Sequence, residues 1–137
     1  MRTILAIAMV FLASCQPAGR VTDFSGFPVG ECPETDGAPQ SVTLQELVSA
    51  PSAFEGAAVR VTGYYHSGFE ESALYPTSKV EAQDARAGVW LFGNDEVVSG
   101  SRVQATGVFT STIKGHLSMW AGSLCAVSTK VLPPNAP

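Results

Sequence analysis

Two short stretches constrain the fold more than any other part of the chain: Val61-Thr62-Gly63-Tyr64-Tyr65 and Ala105-Thr106-Gly107-Val108-Phe109. Both alternate with a period of two and both carry glycine in the middle. In the first, Val59, Val61, Gly63 and Tyr65 share one face, while Arg60, Thr62, Tyr64 and His66 share the other. Mid-strand glycine packs no side chain and marks a bulge or a sharp bend, so two such strands predict a sheet that curls. Between them lie a short strand, Ser72–Tyr75, ended by Pro76, and an apolar run, Val89–Phe92, that reads as a central strand. Gly93-Asn94-Asp95 marks a turn. A last segment, His116–Leu132, is expected to be a strand interrupted at Gly122.

Ahead of the strands, Thr43 and Glu46 have the spacing of a capping box, in which each side chain satisfies a backbone donor at the other residue. Val42 and Leu47 stand where a hydrophobic staple would hold that helix start. The helix is expected to end near Ser49, because Pro51 disfavours helical geometry at Ala50. Phe54 is expected to insert into the core from the turn at Pro51–Gly56. The polar stretch Thr77–Arg86 has room for a short helical insert. The expected architecture is therefore mostly β: a small OB-like five-stranded Greek-key barrel preceded by a short helix. A β-sandwich would need more strands.

The chain opens with Met1-Arg2 and an apolar run from Ile4 to Ala13. That run is too short to span a bilayer, which takes about 20 residues, and it has the form of a secretory signal. It ends in Leu12-Ala13-Ser14-Cys15, which resembles the lipobox of bacterial lipoproteins. The resemblance implies cleavage before Cys15, a diacylglyceryl group on its sulfur, and anchorage by more than one acyl chain, as firm membrane attachment requires. In that family an aspartate after the cysteine marks inner-membrane retention. Gln16 therefore implies the outer membrane, with the domain facing the periplasm. Residues 1–14 are then the signal peptide and 15–40 a lipidated tether rich in Gly and Pro. The barrel domain is placed at 41–132 and a frayed tail at 133–137. The sixteen residues between Cys15 and Cys32 would span roughly 20 to 25 Å as a flexible chain.

With Cys15 assigned to lipid, Cys32 and Cys125 remain as an even pair in an oxidising compartment, where a disulfide is expected. Two buried free thiols are the alternative. Twelve Asp and Glu outnumber eight Lys and Arg, one of which is Arg2 in the leader. No nucleic-acid partner is expected, because that surface needs clustered basic residues.

A second set of residues covers Leu44–Leu124. Leu47, Pro51, Phe54, Gly56, Val59–Tyr64, His66, Phe69-Glu70, Ala73–Tyr75, Gly115–Leu117 and Trp120–Leu124 resemble a family of small bacterial proteins with an OB-like fold and no assigned activity. The resemblance implies a fold and no reaction.

No catalytic constellation stands out. A Gly-x-Ser-x-Gly elbow is absent from the sequence. Glu70 and Glu71, adjacent in a turn, are expected to face different directions. His66 and His116 could meet these carboxylates in a metal site, since imidazole and carboxylate suit zinc-like ions, but their spacing does not call for one. No metal and no cofactor are expected. Tyr64, His66, Glu70 and Trp120 are the candidate binding surface, because OB barrels bind on an exposed face and through flanking loops. The competing placement packs Trp120 into the domain. The expectation is a non-catalytic binding module on the envelope membrane, acting towards another envelope protein. A metal-dependent or hydrolytic enzyme and a small-molecule or glycan binder are the alternatives.

Overall fold

The computed structural model describes residues 32–34, 37–93 and 96–134. The leader, Cys15 and the Asn94-Asp95 part of the expected turn lie outside the described residues. The mostly β expectation holds. A two-residue strand β1 (Gln40–Ser41) precedes helix α1 (Leu44–Ser49), and strands β2 (Ala58–Gly68), β3 (Glu71–Tyr75), β4 (Val89–Phe92), β5 (Arg102–Thr110) and β6 (Ser123–Val131) follow. They form one six-stranded sheet in the order β1-β2-β3-β4-β6-β5, and an additional β2–β5 pairing closes five of the strands into a ring.

β2 makes this closure possible because it serves several partners. It pairs antiparallel with β5 along Ala58–Tyr64 and with β3 along Tyr64–Gly68. β1 adds a parallel pairing at Val59 and Arg60. β4 lies between β3 and a parallel β6, which is the central position expected for an apolar run. The two mid-strand glycines serve different ends. At Gly107 the β5–β6 register shifts: Thr106 pairs with Ser128 and Gly107 with Ala126, so the bulge expected in the glycine-bearing strand falls instead on its partner, with Val127 of β6 as the extra residue. A Cβ on Gly107 would lie 1.9 Å from the Cys125 carbonyl oxygen. Gly63 pairs in register with Val103 and instead makes room for Leu44 of α1.

α1 forms as its sequence predicts. The Thr43 hydroxyl accepts from the Glu46 amide at 3.1 Å, and the Glu46 carboxylate accepts from the Thr43 amide at 2.7 Å. Hydrogen bonds from the Thr43 backbone, then its side chain, hold the Glu46 carboxyl below its usual range. The helix buries Leu44 and Leu47 in a core shared with Val59, Leu74, Leu91 and Leu124. The Thr77–Arg86 stretch carries two 3-10 turns, Val80–Ala82 and Ala85–Ala87, rather than a helix. His116–Trp120 is not a strand but a loop holding the 3-10 turn His116–Ser118. Leu117 and Ser118 have positive φ there, which a strand cannot accommodate.

Two ties join parts of the chain that are distant in sequence. Cys32 and Cys125 are disulfide-bonded across 93 residues, with Cα atoms 5.3 Å apart, joining the N-terminal arm to β6. Glu55, after the turn at Pro51–Phe54, accepts from the Thr110 hydroxyl at 2.7 Å and from the Ser111 amide at 2.6 Å. Desolvation pushes its carboxyl up, but the Ser111 and Thr110 hydrogen bonds outweigh that and hold it below the usual range.

Two outcomes follow. Replacing Cys32 and Cys125 with serine is expected to lower stability by about 2–5 kcal/mol in urea unfolding, and a loss below about 1 kcal/mol would contradict the staple. Glu55 has a folded pKa below its unfolded value, so its contribution is present above about pH 4.3 and fades as pH falls through the folded pKa. Glu55→Gln should flatten that acid limb of the stability curve; an unchanged limb would show that Glu55 does not carry it.

Candidate functional site

Alternation along β2 turns Tyr64 and His66 to the face opposite Val61, Gly63 and Tyr65, which are buried. The register then sets their neighbours: Tyr64 pairs with Tyr75, His66 with Ala73, and Ala73 with Trp90. The same period on β3 places Glu71, Ala73 and Tyr75 on one face, with Leu74 turned to the core. The outer face of β2, β3 and β4 thus carries Tyr64, His66, Glu71, Tyr75 and Trp90. Across it folds the loop between β5 and β6, which packs Trp120 against Ala73 and Tyr75.

A line of polar contacts runs through this packing. The Trp120 indole N–H donates to the Tyr75 hydroxyl at 3.2 Å, and the Tyr75 hydroxyl donates to the Glu71 carboxylate. Buried indole and phenol groups need such partners. The Trp120 ring also meets Trp90 edge to face, with centroids 4.7 Å apart. Burial, then the bond to Glu71, pushes the Tyr75 phenol well above its ordinary range, so it stays protonated and acts as a donor. His66 Nδ1 lies 3.2 Å from Glu71 Oε2. That is ion-pair distance, and this buried nitrogen has no hydrogen-bond partner. The His66 side chain keeps 22% of its surface exposed, so an imidazole edge and the half-buried Tyr64 ring stand over a braced pedestal.

A second pair joins two loops. His116 Nε2 lies 3.0 Å from Glu70 Oε2, tying the β2–β3 turn to the β5–β6 loop. Both loops take unusual backbone: Glu70, Leu117 and Ser118 have φ of 54°, 53° and 57°, each costing about 1–2 kcal/mol for an L-residue. Gly115, at φ 70°, sits so close to the Trp90 ring that a Cβ would approach it to 2.4 Å. These loops expose Phe69 at 92%, Leu117 at 76% and Met119 at 50%.

Of the four sequence-predicted residues, Tyr64 and His66 share the expected face, and Glu70 stands at the turn beside it. Trp120 does not offer a ring to solvent: it is 6% exposed, because the loop folds back and its indole N–H is used inside. The two histidines are each matched to a different glutamate, and Glu70 and Glu71 face different partners as expected. Among the described residues no three His, Cys, Asp or Glu side chains converge in metal-binding geometry. Sequence reasoning missed Tyr75 and Trp90. The period of β3 could have placed Tyr75 beside Glu71, but only the strand register brings Trp90 and Trp120 together. Elsewhere, a groove of about 400 Å³ between α1 and the β3–β4 connection is lined by Leu44, Val48, Pro76 and Ala87. Its charged residues, Asp84 and Arg86, satisfy each other at 3.1 Å.

No protein-family model matches this chain, and no curated protein matches it significantly. Among solved structures, it is similar to a DUF3299 family protein from Pseudomonas aeruginosa PAO1, with 14% identity and a TM-score of 0.49, over 73% of this chain and 100% of that one.

Proposed function

We propose that this protein is a lipid-anchored envelope protein, held in the outer membrane by Cys15, that acts as a non-catalytic binding module for another envelope protein. The observation that carries the reading is the Tyr64–His66 strip on the outer face of β2, which stands beside the hydrogen-bonded line of Trp120, Tyr75 and Glu71 and meets it where His66 Nδ1 comes within 3.2 Å of Glu71 Oε2. A recognition face gains affinity when its side chains are already locked before the partner arrives. In OB-type folds ligands are taken on the face of the second and third strands. Taken in chain order within this ring those are β3 and β4, whose outer face is continuous with the strip on β2. The chemistry of the strip favours binding over catalysis: Tyr75 is held protonated, and Glu71 is occupied by its neighbours. The acidic balance of the chain speaks against a nucleic-acid partner.

Replacing Cys15 with serine should move the protein from the membrane fraction to the soluble fraction; retention in the membrane would defeat the anchor. In-cell crosslinking followed by mass spectrometry should capture a recurrent envelope protein, and a Tyr64→Ala, His66→Ala variant should lose it. Capture that survives in the variant would remove the strip from the interface. Recurrent recovery of a glycan or small molecule in place of a protein would favour the ligand-binding alternative. Trp120→Ala is not a clean probe of the face, since emptying this buried site should cost about 3–5 kcal/mol in stability.

A further inference from the structure

We propose that the paired loop tips carrying Phe69, Leu117 and Met119 form a second, direct contact with the lipid bilayer, orienting a domain whose first attachment is Cys15. This inference rests on the anchor reading above. Phe69 and Leu117 are the two most exposed large apolar side chains of the described residues, and Met119 is half exposed beside Leu117. They lie on two loops that the Glu70–His116 contact draws together. The projection is built into the backbone: Glu70, Leu117 and Ser118 hold left-handed conformations, and Leu117 does so although a bulky side chain is rare there. Strain that persists at an exposed apolar tip points to a role for the tip. Lys114, exposed in the same loop, adds a cation of the kind that meets phospholipid headgroups.

Two arguments favour lipid over protein as the occupant. Covalent geometry limits the reach of the tether: seventeen residue steps separate Cys15 from Cys32, which even fully extended cover about 60 Å. The disulfide of Cys32 to β6 carries that limit to the folded domain. A lipidated chain therefore keeps its exposed groups at high effective concentration near the bilayer, where even a weak second contact is populated. Chemistry points the same way: the tips combine exposed apolar side chains with the Lys114 cation, and lipid anchoring commonly combines two modest signals. The Tyr64–His66 strip, on the strand face rather than at the tips, is left for the protein partner.

The test uses the full-length lipidated protein in phosphatidylcholine vesicles with brominated acyl chains, carrying Phe69→Trp or, as control, Val127→Trp. Val127 is exposed on β6, as the bulged residue opposite Thr106 and Gly107 and away from the β2–β3 turn. The expected result is that Phe69→Trp adds blue-shifted emission quenched at least twofold by the brominated chains, while the emission added by Val127→Trp is unquenched. Emission from Phe69→Trp that stays red and unquenched overturns the proposal. So does equal quenching at both positions. Blue-shifted but unquenched emission also overturns it, by placing the tip against protein. Vesicle flotation separates the two readings: protein that fails to float with the vesicles defeats the anchor and this inference together, whereas floating protein with an unquenched tip defeats only the inference.

Discussion

The double use of β2 underlies the rest of the structure. One eleven-residue strand pairs with β5 through its first half and with β3 through its second, and the sheet thereby returns on itself. The closure encloses Val59, Val61, Leu74, Leu91 and Leu124, and it removes the sheet edges that an open five-stranded structure would expose to other chains. It also decides where the polar face of β2 goes. Once the inner residues are committed to the core, Tyr64 and His66 have to stand outside, beside Glu71 and Tyr75 of β3.

The outer face shows how a small domain can hold polar groups in fixed positions under a second apolar cluster, apart from its main core. The loop between β5 and β6 lays Trp120 over Ala73 and Tyr75, and the resulting apolar cover shelters the hydrogen bonds from Trp120 to Tyr75 and from Tyr75 to Glu71. In such surroundings a hydrogen bond is stronger than in water and an unmet one is costly. The apolar layer and the polar line therefore support each other. At the exposed rim the Glu70–His116 pair links the two strained loops.

Features encoded locally were legible in the sequence. Thr43 and Glu46 are three residues apart and cap their helix in the expected way. The faces of β2 follow from alternation, and Gly107 stands opposite a bulge, though the extra residue is Val127 of β6. The Cys32–Cys125 pair, 93 residues apart, was a non-local exception, expected from the count of cysteines once one was given to lipid. What escaped depends on partners distant in the chain. The Ser118–Trp120 region has strand-compatible residues, yet it is a loop because Trp120 is drawn inward to Tyr75, forty-five positions away. Gly63 has the same local pattern as Gly107, but the space it leaves is filled by Leu44 rather than by a bulge. Strand β1 is two polar residues whose pairing comes only from the edge that β2 offers.

The central claim, a braced recognition face on β2, is tested most directly by site-specific photocrosslinking from the intact lipidated protein in cells. A photoreactive residue at position 64 is compared with one at position 127 on the exposed side of β6. The account predicts one discrete crosslinked species from position 64 and none from position 127. No species from position 64, or the same species from both positions, would contradict it.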